Sequence, residues 1–116
     1  MALPHPLPDE IVDLIARRFR AIGEPMRIKI LDRLRTGEAT VAELTEALNA
    51  GQQNISKHLG VLADAGIVSR RRDGNRVIYA IADESVLTIC ETVCGSIEQQ
   101  LRELHQLLRS PATVDA

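Results

Sequence analysis

A run of hydrogen-bonding side chains spans residues 52–58, and it holds much of the chemistry that this sequence offers. Its members are Gln52, Gln53, Asn54, Ser56, Lys57 and His58. Glutamine and asparagine can pair bidentately with adenine, and the others can reach bases, phosphates or neighbouring helices. Such residues at the start of a helix are typical of base reading in the major groove, although alone they also serve as helix caps. The run is a candidate DNA interface.

A second candidate surface lies around Asp73-Gly74-Asn75. Strand-forming residues on both sides of Asp-Gly predict a β-hairpin with strands over residues 67–72 and 76–81. The basic residues at its tip are Arg71, Arg72 and Arg76. Guanidinium groups there can lie along phosphates or enter a minor groove, whereas arginines on a hairpin are also common on a solvated face.

The two cysteines, Cys90 and Cys94, are one helical turn apart. As a thiol pair they can bind a thiophilic metal or metalloid ion, or react with sulfur or oxygen species. A direct disulfide would distort the helix, because Cβ atoms four residues apart lie about 5–6 Å from each other. Free cysteine also packs as a small hydrophobe, so the sequence leaves a sensing and a core role open.

The charge distribution favours contact with a duplex through the middle of the chain. The net charge is −2, but residues 52–82 carry a net +3 and residues 83–116 a net −4. The middle segment can therefore attract phosphate while the C-terminal segment repels it. One Tyr, one Phe and no Trp argue against an aromatic platform for single-stranded nucleic acid.

The remaining composition predicts a globular binding protein of one domain. The chain has 116 residues, of which 45% are hydrophobic and 26% charged. It shows no nucleophile–base set, phosphate-cradling glycine loop or metal triad, so no enzyme is expected. No membrane span or secretory signal is apparent, which predicts a cytoplasmic protein with no membrane partner. We expect a flexible arm over residues 1–8, the domain over 9–109 and a tail over 110–116.

Hydrophobic periodicity predicts the helices that position these residues. The first helix starts at Asp9, and Pro25 opens a second that Gly37 stops. Thr40 and Glu43 form a capping box for a third, over residues 41–48. A fourth over residues 52–65 follows a tight Asn/Gly turn, which is a helix-turn-helix layout.

A long final helix is predicted from Glu84 to Leu108. Its apolar residues follow spacings of three and four, as an a/d stripe does, at Leu87, Cys90, Cys94, Ile97, Leu101, Leu104 and Leu108. A domain rarely ends on so long a two-faced helix without a partner, so the stripe favours a dimer interface. The stripe can alternatively seal the helix onto its own subunit.

Three segments, residues 21–31, 54–68 and 70–82, together resemble the ArsR/SmtB family of winged-helix bacterial repressors, and the likeness covers roughly residues 10–105. It implies a mainly α fold with a small β-hairpin wing, in which four helices, two strands and a fifth helix make a winged helix-turn-helix. It also implies a homodimer that binds a palindromic double-stranded DNA operator through helix 52–65 and wing 69–81, until an inducer releases it. The first and last helices would pair the subunits through Ile11, Leu14, Leu87, Cys90, Cys94, Ile97, Leu101 and Leu104.

The family's two familiar zinc sites are absent from this sequence. Thr40 and Ala42 occupy the Cys-x-Cys positions of one site, and the other retains only its aspartate among Asp83, Ser85, Ser96 and Gln99. Zinc prefers imidazole and thiolate ligands, so the sequence predicts neither site. Cys90 and Cys94 then remain as the candidates for a thiol-reactive inducer.

Three alternatives stay open at this point. One is a nickel- or cobalt-type regulator that recruits His5 or His105, and another is a regulator without any ligand. The third is a protein-interaction module that keeps the winged helix but does not read DNA. The uncharged, hydrogen-bonding start of helix 52–65 and the basic hairpin favour DNA binding over this last alternative.

Overall fold

A computed structural model describes residues 2–109 as five helices and three strands. They follow in the order α1 (Asp9–Ile22), α2 (Pro25–Leu34), β1 (Ala39–Thr40), α3 (Val41–Leu48), α4 (Gln52–Asp64), β2 (Val68–Asp73), β3 (Arg76–Ile81) and α5 (Glu84–Arg109). The mainly α architecture with a hairpin wing is therefore confirmed. The predicted tail over residues 110–116 and the first residue of the predicted arm lie outside the described residues.

Local sequence signals set the starts and ends of the short helices. Pro25 stands in the first turn of α2, where its missing N–H costs no hydrogen bond. The predicted capping box of α3 is present: the Thr40 hydroxyl accepts from the Glu43 N–H, and the Glu43 carboxylate accepts from the Thr40 N–H. Asn49, with φ of 51°, closes α3 in the left-handed conformation that leads into α4.

The structure differs from the sequence prediction at the end of α2 and in the sheet. α2 ends at Leu34, three residues before Gly37, because the chain there continues as a tight turn in which the Gly37 N–H donates to the Leu34 carbonyl. The predicted hairpin is β2 and β3, but the two-residue β1 adds a third strand. The order is β1-β3-β2, with Ala39 opposite Tyr79 and β2 antiparallel to β3.

The buried core holds α4 by one face. Side chains with almost no exposed surface come from α2, α3, α4 and the start of the wing: Ile30, Leu31, Leu44, Ile55, Leu59, Leu62 and Ile67. The α4 members follow a spacing of four and three, so they form a single inward stripe. Burying each such side chain contributes about 1.5–3 kcal/mol, which fixes the opposite face of α4 toward solvent.

Backbone contacts divide the chain after Glu84 into two units, and α5 accounts for the described part of the second. Within the predicted stripe, Leu87 and Cys90 are half-buried, and every described residue from Glu91 onward is exposed. Ile97, Leu101 and Leu104 keep 49%, 61% and 53% of their surface exposed. The apolar stripe of α5 is therefore exposed from Cys94 to Leu108.

None of the helices within residues 2–109 combines the length and the hydropathy that a membrane span requires.

Candidate nucleic-acid interface

The first turns of α4 present a polar face that is anchored from behind. Gln52, Gln53 and Asn54 are exposed, as are Ser56 and Lys57, while the intervening Ile55 is fully buried. The N-cap position is Gly51, which offers the helix no side chain. The glutamines and the asparagine are therefore not N-caps of this helix, and their amides point into solvent from a rigid element.

The structure places His58 differently from its neighbours. It is buried, and its Nδ1 lies 3.1 Å from Nη1 of Arg27 on α2. Its Nε2 lies 3.6 Å from Oε2 of Glu24, the residue that caps α2. Of the two roles that the sequence suggested for His58, the structure shows contact with a neighbouring helix. Sequence reasoning did not find its partners, because 31 residues separate Arg27 from His58 and no local pattern links them.

The wing carries its arginines in two different states. Nη2 of Arg71 lies 2.6 Å from Oε1 of Glu38, just before β1, so this side chain is tethered to the body of the domain. Arg76 makes a longer contact, 3.7 Å, with Asp73 across the turn. Arg72 is exposed and makes no ion pair with the described residues. Since exposed ion pairs are weak, the guanidinium groups of the wing can exchange these partners for a phosphate.

One open groove of about 320 Å³ lies on the wing. It is lined by Arg70, Arg71, Arg72, Val77 and Tyr79. Arg70 is opposite Tyr79 and Arg72 is opposite Val77 across the two strands, so arginines of β2 lie beside largely apolar residues of β3. The groove has the charge of an anion-binding surface.

Two carboxylates, Glu24 at the start of α2 and Glu43 at the start of α3, are held in their charged form by hydrogen bonds from the helix ends. Hydrogen bonds from the backbone and the hydroxyl of Thr40 lower the pKa of Glu43. Burial pushes the pKa of Glu24 upward, but hydrogen bonds from the backbone N–H groups of Arg27 and Met26, together with the positive charge of Arg27, lower it, and the pKa of Glu24 ends below its ordinary value. Both residues therefore accept hydrogen bonds as anions near neutral pH.

The cysteines and the terminal histidines do not form a ready-made metal site. Cys90 is half-buried and Cys94 is exposed, and both are free thiols. His5 and His105 are exposed. Within residues 2–109, no group of three or more His, Cys, Asp and Glu side chains is arranged to hold a metal ion.

Two helices across a tight turn, followed by an antiparallel wing, define a winged helix-turn-helix. A family described as "Helix-turn-helix domain" matches residues 22–71. The HTH-type transcriptional repressor SmtB of Mycobacterium tuberculosis is 40% identical over 86 residues, which are 74% of this chain and 64% of that protein. The chain thus spans less than two thirds of that relative's length.

Solved structures show the same similarity over nearly their whole length. The crystal structure of Rv0081 from M. tuberculosis is 32% identical, with a TM-score of 0.74, and the match covers 83% of this chain and 97% of that one. The homodimeric winged helix-turn-helix DNA-binding domain of Mb0332 from Mycobacterium bovis is 29% identical, with a TM-score of 0.74 and coverage of 86% and 95%. The chain belongs to the ArsR/SmtB family of winged helix-turn-helix regulators. The expectation of a binding protein rather than an enzyme is confirmed by these relatives, which are regulators.

Proposed function

We propose that this protein is a homodimeric transcriptional repressor that binds a palindromic operator in double-stranded DNA through α4 and the wing. The observation that carries the proposal is the exposed amide-rich start of α4, fixed from behind by buried Ile55, Leu59 and Leu62. An α-helix fits the major groove, where each base pair presents its own pattern of donors and acceptors. Such a repressor acts in the cytoplasm, where the DNA of a bacterium lies.

Two surfaces of the protein, the start of α4 and the wing, contact the operator in different ways. Gln52, Gln53 and Asn54 read bases, and Ser56 and Lys57 reach bases or phosphates at the same end of α4. Arg71, Arg72 and Arg76 of the wing contact the backbone or the minor groove. His58 supports α4 from within, as its burial against α2 favours. An electrophoretic shift with duplexes from the gene's own promoter tests this function, and the absence of any shift favours a protein-interaction module instead.

The wing assignment predicts a change in salt dependence. Each phosphate contact contributes about 0.9 to the slope of log K against log salt concentration, and each substitution acts twice in a dimer. Arg72→Ala or Arg76→Ala should therefore reduce that slope by about 1.8. The affinities for operator and for unrelated duplex should fall together, by roughly 10- to 100-fold, in anisotropy titrations at several salt concentrations.

A matched control for the wing is Arg35→Ala. Arg35 is an exposed arginine that pairs with Asp32 at the end of α2, outside the proposed interface. Its removal should leave both the affinity and the slope as they are in the parent. If the wing variants keep the parental slope as well, the wing does not contact phosphates.

The apolar residues on α1 and α5 support the proposed dimer. Ile11 and Leu14 of α1 are exposed, as is the α5 stripe beyond Cys90. The proposed interface comprises Ile11, Leu14, Leu87, Cys90, Cys94, Ile97, Leu101 and Leu104. Mb0332, which shares the fold, is a homodimer. Two-fold symmetry in the protein implies a palindromic site with half-sites about 10–11 bp apart.

We further propose that a thiol-reactive inducer acts at Cys90 and Cys94. Both are free thiols on one face of α5, and Cys94 is exposed. A thiophilic ion bound there would take its third ligand from the partner subunit or from a small molecule. Because this face lies in the proposed interface, occupation of the thiols can shift the dimer between two arrangements and so change the spacing of the two α4 helices.

The inducer proposal predicts that the double substitution Cys90→Ser/Cys94→Ser keeps operator affinity but abolishes release. Serine is close in size but is a poor ligand for soft ions and does not form persulfides. Operator binding is measured with As(III), Cu(I), Ni²⁺, Zn²⁺, peroxide and persulfide added in turn. A variant that is released as readily as the parent shows that the thiols are only packed side chains.

A further inference from the structure

Arg27 connects the end of α1 to the middle of α4. Its Nε donates to the Ala21 carbonyl over 2.6 Å, and its Nη2 donates to the Arg20 carbonyl over 3.1 Å. Both carbonyls belong to the last turn of α1, where the helix dipole favours a cation. The third nitrogen, Nη1, lies 3.1 Å from Nδ1 of His58. A single guanidinium thus bridges the last turn of α1 and the inner side of α4.

The contact fixes the protonation pattern of His58. A guanidinium has only N–H donors, so Nδ1 must accept from Arg27 and cannot carry a proton. The ring proton then sits on Nε2, which faces the carboxylate of Glu24 at 3.6 Å. Glu24 itself accepts from the backbone N–H of Arg27 over 3.0 Å. The three residues therefore form a closed set in which each member orients another.

The side chain of His58 is only 10% exposed, although Ser56 and Lys57 just before it on α4 are exposed. A buried imidazole without a partner would destabilise the fold, because it would lose its hydrogen bonds to water and gain none in the protein. Its burial therefore depends on Arg27 and Glu24. Any displacement of α4 away from α2 breaks this set, while the apolar contacts of the core can re-form after a small shift.

We propose that Arg27 and His58 are positioning residues that hold α4 in register with the C-terminal end of α1. This inference rests on the proposed function, since α1 belongs to the proposed dimer interface and α4 to the proposed DNA surface. The spacing of the two α4 helices across the dimer is then transmitted through Arg27. Neither residue needs to contact DNA for its loss to weaken operator recognition.

The first test does not involve DNA. Long-range ¹⁵N–¹H spectra of the imidazole rings at pH 8 report which ring nitrogen carries the proton, and a His58→Asn spectrum assigns the signal. We expect the His58 ring to hold its proton on Nε2 in the parent and to become a mixture of tautomers in Arg27→Met. A parent ring with the proton on Nδ1, or an unchanged ring in Arg27→Met, overturns the proposal.

The second test measures operator affinity against affinity for an unrelated duplex. Arg27→Met and His58→Leu should each lower operator affinity about 10-fold or more, because the α4 helices of both subunits lose the contact that holds them in position. Affinity for the unrelated duplex should stay within about 2-fold, because it depends on phosphate contacts that remain. The double variant should be no worse than either single variant, since both break the same contact. His58→Asn, which keeps an acceptor near Nδ1, should recover most of the affinity.

Arg33→Met is the matched control. Arg33 also lies on α2 and donates to a backbone carbonyl, that of Gly37, but it does not reach α1 or α4 through a hydrogen bond. Its operator affinity should match the parent's. A loss in His58→Leu without a loss in Arg27→Met means that His58 acts on DNA directly, which overturns the proposal.

Two further outcomes separate this inference from the proposed function. If the parent binds no duplex, the proposed function fails while the tautomer measurement still decides the role of Arg27. If Arg27→Met does not fold, Arg27→Lys replaces it, because a lysine keeps the charge but cannot bridge all three acceptors. In Arg27→Lys, a parental tautomer together with parental operator affinity overturns the proposal.

Discussion

The double substitution Leu101→Glu/Leu104→Glu is expected to yield monomers and to lower operator affinity about 1000-fold or more, the lower end of the usual ratio between specific and non-specific binding. Both leucines are exposed on α5 of the single chain. In a two-fold interface each contributes twice, and each buried leucine is worth about 1.5–3 kcal/mol. The four glutamates of the dimer, buried in the interface without partners, would add the cost of unpaired charge to that loss. Sedimentation velocity at micromolar concentration measures the state of association, and fluorescence anisotropy measures operator affinity.

The control for this experiment adds the same charge to the other side of α5. Gln99 and Gln106 are exposed and lie away from the a/d stripe, so Gln99→Glu/Gln106→Glu should remain dimeric and bind operator like the parent. Sedimentation of the parent as a monomer at micromolar concentration would contradict the dimer outright. A dimeric Leu101→Glu/Leu104→Glu variant would place the interface elsewhere.

The elements that the sequence predicted well are those whose causes are local. Thr40 and Glu43 are three residues apart, and the capping box that they form needs nothing from the rest of the chain. Asp73 and Gly74 set the wing turn in the same way, since Gly74 has a φ of +64° that few other residues adopt. The period of the α4 stripe likewise follows from neighbouring residues. Helix type and hairpin position could therefore be read without tertiary information.

The features that could not be predicted depend on residues far apart in the chain. Arg71 pairs with Glu38 across 33 residues, and Arg27 meets His58 across 31. β1 has only two residues, too few for any period, and it exists because β3 offers it an edge. The sequence predicted DNA contacts for His58 in helix 52–65 and for Arg71 on the wing, whereas the structure buries His58 against α2 and pairs Arg71 with Glu38.

The position of Thr40 shows how a single residue can serve the fold where a resemblance suggests a metal ligand. Its hydroxyl lies 3.2 Å from the Glu43 N–H and 3.1 Å from Glu43 Oε1, and its side chain is buried with the start of α3. Both hydrogen bonds of the Thr40 hydroxyl thus belong to the N-terminal cap of α3. The start of α3 therefore supports the helix-turn-helix through this cap, and a threonine side chain has no sulfur with which to bind a metal.

Removal of the two glutamine amides at the start of α4 should have an effect as large as the loss of the dimer. A bidentate contact with a base discriminates by about 1–3 kcal/mol, and Gln52→Ala/Gln53→Ala removes up to four such contacts from a dimer, so operator affinity should fall by about 1000-fold. The fold should be unaffected, because both side chains are exposed and alanine is a strong helix former. Affinity for an unrelated duplex and the salt slope should stay at parental values, because amides neutralise no phosphate.

Lys57→Ala distinguishes base reading by the start of α4 from electrostatic attraction between α4 and the DNA phosphates. Lys57 is exposed beside the amides, and as a cation it can neutralise one phosphate per subunit. Its loss should lower the salt slope by about 1.8 and weaken operator and unrelated duplex alike. If Gln52→Ala/Gln53→Ala instead behaves like Lys57→Ala, or binds operator as the parent does, α4 contacts the DNA backbone without reading bases. Sequence selection would then have to come from the wing or from the shape of the duplex.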